Sequence, residues 1–402
     1  MIGPGNGRIG PCDGGRLAEA ESMRAAQQMS MRTLQFLLTE DCNLDCVYCY
    51  EKHKNGRALP AAFIQEKIHQ AMVARDSYEE LSIDFFGGEP LLRFDTIREV
   101  VDWFHAQAWP AHAKRYRIAV TTNGTLLNDT RKQWFARNKR DVILCLSLDG
   151  TPAAQNANRS NSYDAIAPHL DFFRECWPDQ PVKMTIGPRT IDQVFDGIMH
   201  LHSRGFKVEA DVVFEDVWGE EASLSAAVAV FAQQLDLLVA YYGQHPEAPR
   251  PDLVQRPIMN LFEPGPPRSR AFCGAGKHLT CYAANGEPFP CMRFTSVTTS
   301  NPLKRIEDSP DQENEECAAC VFERLCPSCQ GHNYEVAGSC WRRTAFHCRF
   351  FKVSLLASAR LMLLDEPDLL SASSVEEQTP QQIERLRKLL AIRAVNDWCG
   401  LP

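Results

Sequence analysis

Short apolar runs alternate with longer amphipathic stretches from Arg32 onward. Thr33–Thr39 predicts a strand and Ala61–Arg75 a helix. The same pairing recurs five times: Ser82–Phe86 with Phe94–Ala108, Arg117–Thr122 with Asn128–Arg137, Val142–Leu148 with Tyr163–Cys176, Val182–Ile186 with Ile191–Ser203, and Lys207–Phe214 with an Ala-rich helix from about Ala222 to Tyr242. Six β/α units in succession predict an α/β fold with a parallel sheet and helices outside it.

The pattern breaks after the sixth helix. Nine prolines fall between Pro246 and Pro290, and Glu263-Pro264-Gly265-Pro266-Pro267 excludes regular structure. From Cys273 to Cys348 the chain is rich in cysteine and poor in periodic apolar positions, as expected of a segment ordered by metal. Phe350–Leu364 then reads as an apolar helix. Thr379-Pro380, with Gln382 three residues after Thr379, starts another. The expected organisation is a flexible tail over 1–31 with a short helix at Leu17–Met29, a barrel domain over 32–244, and a Pro-rich linker over 245–272. A cysteine domain over 273–350 and helices over 351–402 complete it.

Composition adds little until the cysteines are counted. With 44% hydrophobic and 23% charged residues the chain is ordinary globular protein. A net charge of -8 and no basic block argue against a nucleic-acid partner. No signal-like apolar run opens the chain and no stretch suits a bilayer, so a cytoplasmic location and no membrane partner are expected. There, sixteen cysteines point to metal or catalysis rather than disulfides.

The most informative stretch is Cys42-Asn43-Leu44-Asp45-Cys46-Val47-Tyr48-Cys49, just after the first strand. Three thiolates on one loop can hold three irons of a [4Fe–4S] cubane and leave the fourth iron open to a small chelator. A zinc site is the alternative, but zinc favours cysteine pairs with a matching second pair.

This loop resembles the signature of the radical S-adenosylmethionine (SAM) superfamily, in which SAM chelates the open iron and is cleaved reductively to a 5'-deoxyadenosyl radical that abstracts hydrogen. Further motifs match, each near the end of an expected strand. Gly87-Gly88-Glu89-Pro90 resembles the turn that contacts the SAM amino group: glycines permit close backbone approach, and Glu89 suits an ammonium. Thr122-Asn123-Gly124 resembles the turn lining the same pocket, and Ser147-Leu148-Asp149-Gly150 the segment touching the SAM ribose or carboxylate. Arg159 stands where many relatives pair an arginine with the SAM carboxylate, and Tyr48 where they place an aromatic against adenine. Relatives often carry His-Asp or His-Asn before that arginine; here Gln155-Asn156 stands there. The resemblance covers about Thr33 to Phe214 and implies a partial (β/α)6 TIM-type barrel, whose ligand face is the C-terminal end of its strands.

The second cysteine set is Cys273-x12-Gly286-x4-Cys291, then Cys317-x2-Cys320-x5-Cys326-x2-Cys329, then Cys348. It resembles the SPASM extension of radical SAM enzymes that act on peptides and proteins, which binds two auxiliary [4Fe–4S] clusters. The last gap is one residue shorter than in relatives. The resemblance implies Cys273, Cys281, Cys291 and Cys329 for one cluster and Cys317, Cys320, Cys326 and Cys348 for the other. Cys340 is then a spare or a competitor of Cys281. Cys145 and Cys176 read as small core residues, and Cys12 and Cys399 lie outside both sets.

The stretches Cys326–Tyr334 and Phe85–Leu92 further resemble maturases of ribosomally made peptides, which install thioether or carbon–carbon crosslinks or cut and rejoin the backbone. The implied partners are a peptide substrate and an external flavodoxin- or ferredoxin-like electron donor; only about thirty residues precede Thr33, so leader recognition, where needed, is expected from a separate leader-binding protein or from the enzyme's own surface. The formylglycine-forming oxidation of anaerobic sulfatase maturases is an alternative, but their base is an Asp directly after the cysteine that matches Cys291, and Met292 stands there. No catalytic residue is assigned. An iron–sulfur electron-transfer protein is the non-enzyme alternative; it leaves the open iron and four pocket motifs unexplained.

Overall fold

The computed structural model describes residues 31–255, 273–307, 317 and 326–365. The expected helices at Leu17–Met29 and from Thr379, most of the Pro-rich linker and Cys320 lie outside the described residues.

Strand β1 (Met31–Thr39) leads to helix α1 (Ala61–Val73), then β2 (Glu80–Gly87), α2 (Phe94–His105), β3 (Arg115–Thr122), α3 (Asp129–Asn138) and β4 (Val142–Leu146). Next come α4 (Pro152–Asn158), α5 (Tyr163–Ile166), α6 (Leu170–Cys176), β5 (Val182–Ile186), α7 (Val194–Ser203), β6 (Val208–Val212) and α8 (Glu221–Gln244). The alternation of the sequence sets one face of each strand against the helices: Leu34 and Phe36, Ile83 and Phe85, Ile118 and Val120, and Leu144 and Leu146 are all buried in one apolar core.

The strands are parallel in the order β4-β3-β2-β1, and β5 pairs with β6. An isolated parallel bridge from Ser147 to Lys183 carries β4 on to β5. All six expected strands are present and the parallel α/β barrel architecture stands. The single helix expected over Tyr163–Cys176 is instead interrupted by a 3-10 turn at Ala167–His169, where Pro168 cannot donate to the helical ladder.

The Cys-rich segment supplies β7 (Leu279–Tyr282) and β8 (Pro288–Phe289). β7 runs parallel to β1, with Cys281 opposite Gln35, so it continues the barrel sheet past its first strand. Helices α9 (Gln330–Ala337) and α10 (Ala345–Asp365) follow among the described residues. Among the described residues α8 alone is long and apolar enough to cross a membrane. Here it packs on α10, with Phe231 and Phe350 5.5 Å apart edge to face and Arg349 ion-paired to Glu221 at 2.6 Å.

A candidate cofactor site at the strand ends

The loop carrying Cys42, Cys46 and Cys49 leaves the C-terminal end of β1 and is tied down by neighbouring strand ends. Gly88 N–H donates to the Thr39 carbonyl at 3.0 Å and Glu89 N–H to the Asp41 carbonyl at 2.8 Å. A Cβ on Gly88 would lie 2.1 Å from the Asp41 carbonyl oxygen, and one on Gly87 (φ +126°) 2.4 Å from that of Thr39. These glycines therefore let β2 approach the cysteine loop itself, a use the sequence did not suggest. From the other side Asn158 accepts from Val47 N–H at 3.0 Å and Ser160 Oγ from Asp45 N–H at 2.9 Å. Ser160 and Asn161 both take positive φ, so the turn that braces the loop is locally strained.

Glu89 is 1% exposed, and burial raises its pKa. Its carboxylate caps the 3-10 turn Pro90–Arg93 by accepting from Leu91 N–H at 3.0 Å. It also accepts from Thr122 Oγ1 at 2.7 Å and Asn123 N–H at 2.8 Å. Glu89 thus joins the two turns, and one oxygen keeps a lone pair for a further donor. Asn123 continues the chain of contacts to Asn43 of the cysteine loop at 3.0 Å.

Asp149 is the second hub. Its side chain is fully buried; Oδ2 accepts from Tyr48 Oη at 2.5 Å and Asn158 Nδ2 at 3.1 Å, and Oδ1 from Thr185 N–H at 3.0 Å. Arg159 Nε lies 3.0 Å from Oδ2, and the guanidinium carbon 5.4 Å from the Tyr48 ring centroid. Burial works against the Arg159 charge, but Asp149, Tyr48 and Cys46 together hold its pKa above the ordinary value. The expected SAM contacts Tyr48, Asp149 and Arg159 are thus one preassembled network. One Arg159 terminal nitrogen lies 3.5 Å from Thr185 Oγ1.

Cys42, Cys46 and Cys49 are thiols outside any disulfide, each within the electrostatic reach of another. Burial pushes the Cys46 thiol up to about 11, with Arg159 opposing. The donor set fits a cubane held by three thiolates on one loop, with Gly88 keeping the adjoining turn clear. Among the described residues no three His, Cys, Asp or Glu side chains converge on a single-ion site.

Near the second set, Cys291 lies in the fields of Cys329, Cys273 and, more weakly, Cys281, with burial raising its pKa first. Three of the four residues assigned to the first auxiliary cluster are therefore brought together. Cys281 is fully buried in a small apolar cluster with Leu37, Phe289, Phe294 and Cys340, and Cys340 feels Cys329. Both candidates for the fourth position thus border the group. Cys317, Cys326 and Cys348 fall within the described residues and Cys320 outside them.

Two features were not visible in the sequence reading. Asp84, Arg117, Cys145, Lys183 and Glu209, from five strands, act on one another inside the barrel. Cys145 belongs to this polar interior and not to the apolar core; burial pushes its thiol up to about 11. Cys176, by contrast, does pack on the core. The inward positions Ser82 and Asp84, Lys183 and Thr185, and Glu209 and Asp211 alternate with apolar ones, a period-2 signal that could have revealed the lumen. Between the two cysteine groups lies a second polar set. Arg293 Nη2 is 2.6 Å from Glu215, and its guanidinium lies 4.2 Å above the Tyr50 ring.

Residues 36–217 match the radical SAM superfamily. An uncharacterized protein of Archaeoglobus fulgidus is 21% identical over 94% of this chain and 90% of its own length. The radical SAM cyclopropyl synthase TigE of Paramaledivibacter caminithermalis is 29% identical over 33% of this chain and 29% of its own. An uncharacterized protein of Methanocaldococcus jannaschii is 29% identical over 30% of this chain, which spans 39% of that relative. Among solved structures, anSMEcpe with bound AdoMet and the peptide Kp18Cys superposes with a TM-score of 0.65 at 16% identity, covering 84% of this chain and 99% of that one. SuiB of Streptococcus suis bound to its precursor peptide SuiA gives 0.53 at 16% identity, over 86% and 84% of the two chains. The strand-end cysteine loop, its bracing turns and the match over 36–217 together establish that this chain carries a radical SAM domain.

Proposed function

We propose that the protein is a radical SAM/SPASM peptide maturase that installs a crosslink, such as a thioether or carbon–carbon bond, in a ribosomally made peptide. The observation that carries the reading is the placement of two cysteine groups around one buried polar region. Cys42, Cys46 and Cys49 stand at the barrel mouth, and Cys273, Cys291 and Cys329 gather beside it; the Arg293–Glu215 pair feels both, through Cys329 on one side and Cys49 on the other. Peptide-bound neighbours of the same fold support a peptide substrate.

When bound, SAM and its [4Fe–4S] cluster would supply the electron and the carbon radical. This chain's residues would do the rest. Cys42, Cys46 and Cys49 would hold the SAM cluster. Gly87, Gly88, Glu89, Pro90, Thr122, Asn123, Ser147, Asp149 and Arg159 would shape the SAM pocket, with Arg159 terminal nitrogens on a carboxylate and Tyr48 along the ring edge. Cys273, Cys281, Cys291 and Cys329 would hold one auxiliary cluster, and Cys317, Cys320, Cys326 and Cys348 the other. Glu215, 7% exposed and ion-paired to Arg293, would be a candidate for the base that is missing at Met292.

The test is anaerobic reconstitution followed by reduction with SAM and the product of a short reading frame beside the gene. The expected results are about twelve irons per chain, 5'-deoxyadenosine, and a peptide mass loss of two hydrogens. A product carrying an aldehyde would favour the formylglycine reading, and zinc-only protein with full activity would remove the proposal.

A further inference from the structure

Helix α9 starts directly after Cys329, and its third residue, His332, is 2% exposed. Neither ring nitrogen of His332 has a hydrogen-bond partner among the described residues. Arg293 is its charged neighbour. The Arg293 stem crosses Gly331, where a Cβ would lie 2.5 Å from Arg293 Cβ, so only glycine lets the helix come this close. Glu215 takes one end of the guanidinium, while Arg293 Nη1 is buried with no partner among the described residues. Gln330 Oε1 is also unpartnered, but residues two apart on a helix point to different sides, so it is set aside.

Buried polar atoms without partners are few in folded proteins, and three in two adjacent side chains call for a ligand or ordered water. Burial, aided by Arg293, pulls the His332 imidazole down to about 4, so at neutral pH it offers one donor and one acceptor. The surroundings define what can bind. Glu215 opposes an anion, and Arg293 and Lys52 oppose a cation. The rings of Phe214 and Phe346 lie 6.4 and 6.0 Å from the imidazole and supply apolar walls. A peptide chain supplies neutral donors and acceptors side by side: the carbonyl of one amide can take Arg293 Nη1–H and the imidazole N–H, and the other ring nitrogen, on the far edge of the ring, is left for a donor of the neighbouring residue.

We propose that Arg293 and His332 form the site that grips an amide of the peptide substrate, between the two cysteine groups. The inference rests on the peptide-maturase reading above. It is tested with iron-loaded full-length protein plus SAM, without reductant, panned against a displayed library of random short peptides. Wild type is expected to enrich peptides over bare matrix. His332→Leu should recover at least about tenfold less, the range expected when a buried hydrogen-bonding partner is lost. Its thermal midpoint should hold or rise, because an unpaired polar group has been replaced by an apolar one. His332→Gln, which keeps a donor and an acceptor, should recover most of the binding. Equal enrichment by wild type and His332→Leu would overturn the amide site while leaving the peptide reading intact. A lower midpoint in His332→Leu with unchanged enrichment would mean that water alone occupies the site. Enrichment of no peptide by wild type would overturn the peptide reading and this proposal with it.

Discussion

Asp149 and Arg159 form a buried ion pair, Nε to Oδ2 at 3.0 Å, and the same Oδ2 accepts the Tyr48 hydroxyl from the cysteine loop. Ten residues apart in sequence, they hold in place a loop a hundred residues away. The arginine is thus part of the scaffold before any ligand arrives.

Arg159→Ala should therefore act twice. Removing one partner of a buried pair costs about 3 kcal/mol, which lowers the thermal midpoint of the iron-loaded protein. SAM binding should weaken as well, read by equilibrium titration. A lowered midpoint with unchanged SAM affinity would make Arg159 a brace for Tyr48 and Asp149 alone.

Gly88→Ala places a methyl against the backbone of Asp41 and Cys42. Overpacking of this kind costs about 1–3 kcal/mol, and the strain falls on the cysteine loop. The variant should bind about four fewer irons while its far-ultraviolet circular dichroism stays that of wild type. Full iron content would show that the loop accommodates the methyl.

Cys281 and Cys340 are the two candidates for the fourth ligand of the proposed cluster at Cys273, Cys291 and Cys329. Cys291 feels Cys281, which sits within a segment tied at both ends, and short closures cost less entropy. Cys281→Ala is expected to lose iron from one cluster and Cys340→Ala to keep the full count. The opposite pattern would exchange their roles. Full iron with full peptide modification in Cys281→Ala would leave an open iron in that cluster.

His202 gives a pH dependence away from the cysteines. Burial lowers its pKa, while its contact with the Phe206 carbonyl works the other way; its other ring nitrogen meets Tyr242 Oη at 2.7 Å. The unfolded chain takes up a proton near pH ~6.5 that the folded chain resists. This contribution to stability is full above that pH and declines as pH falls below it. The drop in urea midpoint from neutral to mildly acid pH should be smaller in His202→Gln than in wild type. Equal drops would assign the effect to other groups.

The sequence by itself determined the strand-and-helix order, because period-2 and period-3.6 apolar spacing records which face of each element is buried. It also placed Cys42, Cys46 and Cys49 on one loop, because three ligands within eight residues need no tertiary information to be neighbours. Gly88, Glu89, Thr122, Asn123 and Asp149 were legible as strand-end residues, but their partners were not. Only the tertiary structure decided that Glu89 spans to Thr122 and Asn123, and that Gly88 makes room for Asp41. It also set Asp149 on Tyr48, joined β7 to β1, and gave Cys145 a polar interior beside Lys183 in place of the core. The physical reason is that local spacing fixes a residue's face, whereas its partner follows from strand register and barrel closure, which many distant contacts set together. His332 and Arg293 show the same limit: a histidine after a cysteine motif reads as ordinary until the fold buries it beside a guanidinium, its ring nitrogens without a partner among the described residues.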